Sequence, residues 1–262
     1  MVNANGAIVT IWGARGELPC AGPEFIGFGG NTCCISVESD GRLFVFGAGT
    51  GFRVLGNALI ARGGLLDIDI FLTHSYLDQI QGIPFFKAFY NPKNIFRLWA
   101  GHLSDRGGLH GAISGMMQAP LFPIPPSVFT ADIAYRDFQP GEAIDLGGGF
   151  QCRSAAMDRP DGATAYRLDF PDGRALAVLP RASGLERADV LDLCNKADML
   201  IADNPGTEGL PALRAFADRA AVLRLVLGSH LPDQTDEELT RMADQAEGST
   251  LHVAREGERL AL

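Results

Sequence analysis

Apolar residues along the chain gather into short blocks separated by Gly, Pro and Asp, the punctuation of an α/β fold rather than of a helical bundle. Residues 7–12, 33–37, 43–46, 65–72 and 94–100 read as strands in the first half, and residues 65–72 are apolar enough to be buried on both faces. A Gly-rich turn at 47–51 leads into a helix start by residue 56, and the apolar, aromatic segment 83–90 reads as helical. Residues 102–117, rich in Gly and small side chains, predict a helix-containing flap. The run 118–126 carries four prolines and is expected as a rigid loop, because Pro lacks the amide that a helix interior needs. The second half repeats the alternation. Strands are expected at 150–157, 164–170 and 175–179, with Pro171-Asp172-Gly173 as a hairpin turn. A helix at 185–196, a strand at 198–203, a helix at 210–221 and a strand at 222–227 follow. Thr235 is an N-cap candidate for a third helix with acidic residues in its first turn, and short strands close the chain at 249–254 and 259–262. Two β-rich halves, each flanked by helices and joined without a linker, predict one domain over residues 1–262.

Composition narrows the function classes. The 262 residues are 47% hydrophobic, enough for one large core, and no apolar run reaches the roughly 18 residues of a membrane helix. Residues 1–6 lack a basic, apolar leader, so a cytoplasmic protein is expected. The five cysteines (Cys20, Cys33, Cys34, Cys152, Cys194) form no CxxC pair, and reduced thiols are expected. A formal charge of −9 argues against binding a nucleic acid duplex, which needs clustered positive charge.

Three stretches carry candidate chemistry. The strand at 65–72 runs into Thr73-His74-Ser75-Tyr76-Leu77-Asp78-Gln79-Ile80-Gln81-Gly82, which resembles the Thr-His-x-His-x-Asp-His-x-x-Gly signature of the metallo-β-lactamase superfamily. Trp12-Gly13-Ala14-Arg15-Gly16-Glu17-Leu18-Pro19, followed by Gly29-Gly30-Asn31-Thr32, is similar to the Trp-Gly-x-Arg-Gly-Ser-x-Pro … Gly-Gly-Asn-Thr opening of its phosphodiesterase-like branch, which includes cyclic nucleotide phosphodiesterases and RNase Z-like proteins. Gly47-Ala48-Gly49-Thr50-Gly51 stands where that branch has Asp-Ala-Gly-Thr-Gly, the Asp orienting a metal-bound His. A nucleotide-binding glycine loop is the competing reading of this last stretch, but its spacing fits neither a P-loop nor GxGxxG. The resemblance runs from Trp12 to about Glu238 and implies a four-layer αβ/βα sandwich.

It also implies a dinuclear metal site, usually zinc, and there the residues depart from the pattern. His74 and Asp78 are kept, but Tyr76 and Gln79 replace two ligand His. Arg159 stands for a third His, Arg181 (or Pro180, if the alignment slips by one) for the bridging Asp, and Ser229 for the last His, with His230 one place late. A catalytic zinc needs about three protein ligands, and a metal pair needs a bridging carboxylate besides; an Arg there aims a permanent cation at the metal position. The expectation is a pseudoenzyme without a metal cofactor, acting by binding a small anionic, phosphate- or nucleotide-like ligand or a protein partner. Arg159 and Arg181 are the candidate anion-binding pair, with Tyr76 and Gln79 beside them. Alternatively the two Arg only refill the lost site with ion pairs. A second reading keeps one zinc or manganese ion on His74, Asp78 and His230 for phosphodiester hydrolysis. A third makes the chain half of a homodimer or the partner of an active paralogue, with the aromatic run 85–90 as surface. His102 and His110 are expected as solvated loop residues. A Cys33 or Cys34 nucleophile is the weakest reading, since nothing nearby in sequence supplies an activating base.

Overall fold

The computed structural model describes residues 6–181 and 184–262; the leader expectation for residues 1–6 falls almost wholly outside them. Within them the chain runs β1 (Ile8–Gly13), β2 (Cys34–Ser39), β3 (Arg42–Phe46), α1 (Thr50–Arg62), β4 (Asp67–Leu72), α2 (Leu77–Ile80), β5 (Ile95–Ala100), α3 (Gly108–Met116), β6 (Asp132–Asp137) and β7 (Ile144–Gly147). It continues through β8 (Phe150–Met157), β9 (Ala163–Asp169), β10 (Ala175–Leu179), α4 (Ala188–Cys194), β11 (Met199–Asp203), α5 (Gly206–Arg219), β12 (Leu225–Gly228), α6 (Asp236–Ala246), β13 (Leu251–Val253) and β14 (Arg259–Ala261).

The strands form two seven-stranded sheets, ordered β14-β1-β2-β3-β4-β5-β6 and β13-β12-β11-β10-β9-β8-β7. Each sheet is antiparallel at one end and parallel at the other, β3 to β6 in the first and β10 to β13 in the second. Parallel neighbours need crossovers, and the helices supply them on the outer faces. One apolar cluster lies between the sheets, built on Phe44, Phe46, Phe71, Phe150, Tyr166 and Leu168. A second packs α1 and α3 on the first sheet, and a third packs α4, α5 and α6 on the other. The order is helix, sheet, sheet, helix, the four-layer αβ/βα sandwich that the sequence predicts. No helix among the described residues is long and apolar enough to cross a membrane.

Two departures have local causes. Segment 83–90 is two 3₁₀ turns, Ile83–Phe85 and Lys87–Tyr90, not one helix. Phe86 between them is extended (φ −81°, ψ 92°), which lets its ring stack on Phe52 at 3.8 Å while Phe89 enters the same core. Edge strands β6 and β7 carry no strong apolar run and are partly exposed, as edges that must not template further pairing tend to be; their sequences give no strand signal comparable to residues 65–72.

The predicted N-cap is present as a full capping box. Thr235 Oγ1 accepts from Glu238 N at 3.4 Å and Glu238 Oε2 accepts from Thr235 N at 3.1 Å. Thr235→Ala is expected to lower the urea unfolding free energy by about 1 kcal/mol with an unchanged denaturant slope. An unchanged midpoint would show that tertiary packing alone holds α6.

Candidate functional site

Parallel strands leave their loops and helix starts at their C-terminal ends, where α/β sheets place ligand sites. Both sheets obey this. Gly47 follows β3, His74 follows β4, Arg181 follows β10, Asp203 ends β11 and Ser229 follows β12. The sheets are tied beside this point by the Tyr166 hydroxyl, which donates to Leu72 O at 2.9 Å, and by Thr164 N, which donates to Thr73 O at 2.7 Å.

Around the two residues kept from the signature the geometry is tight. His74 and Asp78 are buried, with Nε2 4.0 Å from Oδ2. Burial, with the nearby positive charge of Arg159 and the His102 ring, pushes His74 down to about 2, so its imidazole is neutral. Asp78 accepts from Glu17 N at 3.2 Å. Burial, then repulsion by Asp203, lifts Asp78 to about 6, partly offset by Arg159. Asp203 is raised too, chiefly by burial, against hydrogen bonds from the Ser229 hydroxyl and from Arg181 N at 2.9 Å. Burial pushes the Cys33 thiol up to about 12, against the Gln79 and Ser229 side chains beside it, so it stays protonated.

Gly47, Cys33, Thr73, Gln79, Asp203 and Ser229 enclose a cavity of about 10 Å³. That holds one water at most, whereas a catalytic metal pair sits about 3.5–4 Å apart with shared oxygens. The donors do not fit such a pair. No group of three or more His, Cys, Asp or Glu among the described residues is arranged to hold a metal. His230 does not join His74 and Asp78: its Nε2 bonds to Ala254 O at 2.8 Å and its Nδ1 faces Asn204 Nδ2 at 3.2 Å. The neutral tautomer protonated on Nε2 satisfies both, and burial holds His230 down at about 4. Among the described residues the donor set of a two-metal site is not assembled.

The two arginines have different surroundings. Arg181 pairs with Glu17 and is neutralised by it. Glu17 stands where the resembled opening has Ser, so the new acid answers the new Arg across 164 residues. Arg159 stacks on Tyr76, its Cζ 4.4 Å from the ring centre, and makes one long hydrogen bond of 3.5 Å to Arg181 O. Among the described residues no carboxylate lies within ion-pair distance of its guanidinium. Tyr76 itself turns away from the cavity and donates to Asp161 Oδ2 at 3.0 Å. Gln79 is buried and lines the cavity. His102 is not solvated: both ring nitrogens are buried without a partner among the described residues, and burial lowers it to about 4. His110 is exposed, its ring against Tyr135. All five cysteines are free, and in the aromatic run 85–90 Phe86, Ala88 and Phe89 are core while Phe85, Lys87 and Tyr90 are exposed.

No protein-family model matches the chain, and no curated protein matches it in sequence. Solved structures do. YhfI of Bacillus subtilis, a metallo-β-lactamase fold protein, superposes with a TM-score of 0.69 at 17% identity, covering 98% of this chain and 100% of that one. A diphosphatase of the PhnP family gives 0.71 at 16% identity, covering 98% and 97%. The short form of human tRNase Z gives 0.68 at 16% identity, covering 97% and 98%. The chain has the metallo-β-lactamase fold. In the metallo-β-lactamase fold of this chain, Glu17, Cys33 and Asp203 are site residues that the signature motifs do not reveal. Only Asp203 had a readable signal, an acid at the end of an apolar strand.

Two outcomes follow. Gly47 sits at φ +79°, and a β-carbon there would lie 2.9 Å from both the Cys33 carbonyl oxygen and its Sγ. Gly47→Asp, which restores the acid of the resembled motif, is therefore expected to destabilise by about 2 kcal/mol or more in urea unfolding, with no rescue by zinc. Rescue by zinc would show the site to be open.

The second concerns pH. His74, His102 and His230 are lowered from about 6.5, so between that pH and about 4 the unfolded chain binds more protons and stability falls as pH falls. Asp78, raised to about 6, opposes this by holding its proton in the folded chain. Wild-type stability should drop from pH 6.5 to 4.5, and His230→Asn should flatten the slope by up to ~1.4 kcal/mol per pH unit. An unchanged slope in that variant would mean that His230 is protonated when folded.

Proposed function

We propose that this chain is a metallo-β-lactamase-fold pseudoenzyme that binds a small phosphate-bearing anion, nucleotide-like or inorganic, at Arg159. The observation that carries the reading is the Arg159 guanidinium, stacked on Tyr76 next to a site where no metal-holding cluster of acids, His or Cys is assembled, with no acidic partner within ion-pair distance among the described residues. Arg donors form a planar fork matched to phosphate or carboxylate oxygens. Tyr76 holds the stem and face of Arg159 and leaves its edge donors free. Asp78 and Asp203 lie near enough to feel the Arg159 charge, which lowers both against the rise that burial imposes, but neither pairs with its guanidinium. Phosphate is favoured because a diphosphatase shares the fold. Arg181, held by Glu17, is a supporting residue that an anion reaches only by displacing Glu17. This reading is preferred over a protein partner because the free donors here are few and confined to one half-buried side chain.

Calorimetric titration with inorganic phosphate and adenosine monophosphate tests it. Arg159→Ala is expected to weaken binding by about tenfold or more, the cost of a charge-assisted hydrogen bond of ~1.5–3 kcal/mol. Arg159→Lys should retain part of the affinity, and Arg181→Ala should change it less than Arg159→Ala does. Metal content per chain after reloading with zinc or manganese is expected to stay well below one. Phosphate binding that ignores Arg159, or one tight metal lost in His74→Ala and Asp78→Ala, would reject this function and favour a mononuclear phosphodiester hydrolase.

A further inference from the structure

A second concavity lies on the other side of the 75–82 segment. It is a groove of about 770 Å³ between α2, the N-terminal end of α1, helix α3 and the proline-rich loop, within the ordinary size range of small-molecule sites. None of His74, Asp78, Arg159 or Arg181 lines it. Its wall is apolar: Leu77, Phe85, Met116, Leu121 and Phe122, with Phe85 and Phe122 meeting edge to face at 5.9 Å. Three of these side chains are unusually exposed for their type, Leu77 at 61%, Phe85 at 53% and Leu121 at 76%. Scattered surface hydrophobes need no explanation, but large ones sharing one concave wall mark a binding surface.

One charge interrupts that wall. Arg53, on the first turns of α1, lines the groove and has neither a carboxylate nor a hydrogen-bond acceptor for its side chain among the described residues. In a chain of net charge −9, an unpaired guanidinium at the rim of an apolar groove complements a ligand with one anionic head and an apolar body. A single Arg fork matches a single carboxylate. The rest of the lining is uncharged, so the groove offers one positive charge to one negative head. Space is built into the same wall. A β-carbon at Gly115 on α3 would meet no atom within 4 Å, so the glycine leaves the groove open rather than serving close packing.

We propose that this groove binds an apolar monocarboxylic acid, with its carboxylate on Arg53 and its hydrocarbon part along Leu77, Phe85, Leu121 and Phe122. The site is independent of the phosphate reading, since it shares no residue with Arg159 and its surroundings.

The test titrates the full chain with butyrate, hexanoate, octanoate and octanamide by calorimetry. Affinity is expected to rise two- to fourfold per methylene, the gain for burying apolar length. Octanoate should bind at least about tenfold better than octanamide, and Arg53→Gln should remove that difference while leaving phosphate binding unchanged. Gly115→Leu fills the groove from a helix that tolerates Leu better than Gly, and should abolish octanoate binding in a chain at least as stable as the wild type. No saturable octanoate binding, equal binding of the amide, or full binding by Gly115→Leu would each overturn the proposal. So would self-association of the ligand-free chain in sedimentation that Leu121→Asp removes, which would make this face an interface between two copies.

Discussion

Arg15 is the constraint on which the rest of the structure turns. It is fully buried, yet its guanidinium donates to Gly29 O at 2.8 Å, Gln234 O at 2.6 Å and Leu231 O at 3.3 Å, with Asp236 3.8 Å away. A buried cation without partners would cost several kcal/mol; here carbonyls from two distant loops take its Nε and Nη1, and Nη2 has no hydrogen-bond partner but faces Asp236. The backbone of Arg15 adds bridges to Thr32 and His230. One side chain thus fastens the glycine-rich opening segment to the loop after β12, and between those segments lies the cavity at the mouth of both sheets. The Gly-Pro density of residues 13–30 follows from the same crowding. A β-carbon at Gly13 would lie 2.0 Å from Thr32 O, so no other residue fits.

That crowding also explains why the departures from the metal-binding signature act as a set. Gly47 stands where the signature has an acid and its backbone lies against Cys33; Gln79 and Ser229 lie beside the Cys33 thiol; Asp203 accepts from Arg181 N; Arg181 is held by Glu17. Several of these polar groups thus face one another, while Gln79 Oε1 and His74 Nδ1 stay buried without a hydrogen-bond partner among the described residues. A network of this kind is worth more than its pairwise parts, and reverting one member leaves its neighbours unsatisfied.

Much of the fold was legible because it rests on local signals. Apolar blocks of strand length, the 171–173 turn and the Thr235 capping box all encode structure within a few residues. The edge strands β6 and β7 were not legible, since they are held by pairing rather than by their own side chains. For the site, the loss of ligands could be read position by position, but the compensation could not. Glu17 meets Arg181 across 164 residues, and nothing near His230 in sequence says that Asn204 and the Ala254 carbonyl occupy its ring. The two arginines looked equivalent in sequence; a single acid from the opening loop makes them different.

The place where the two sheets meet has a wider meaning. In a protein whose halves are joined by a bound ion, the folded population follows the supply of that ion by mass action. Here the seam is closed by side chains and main chain encoded in the same polypeptide: Tyr166 to Leu72, Thr164 to Thr73, Arg181 to Glu17. The sheets of this chain are therefore fastened to one another at their mouth by bonds that ask for no ion.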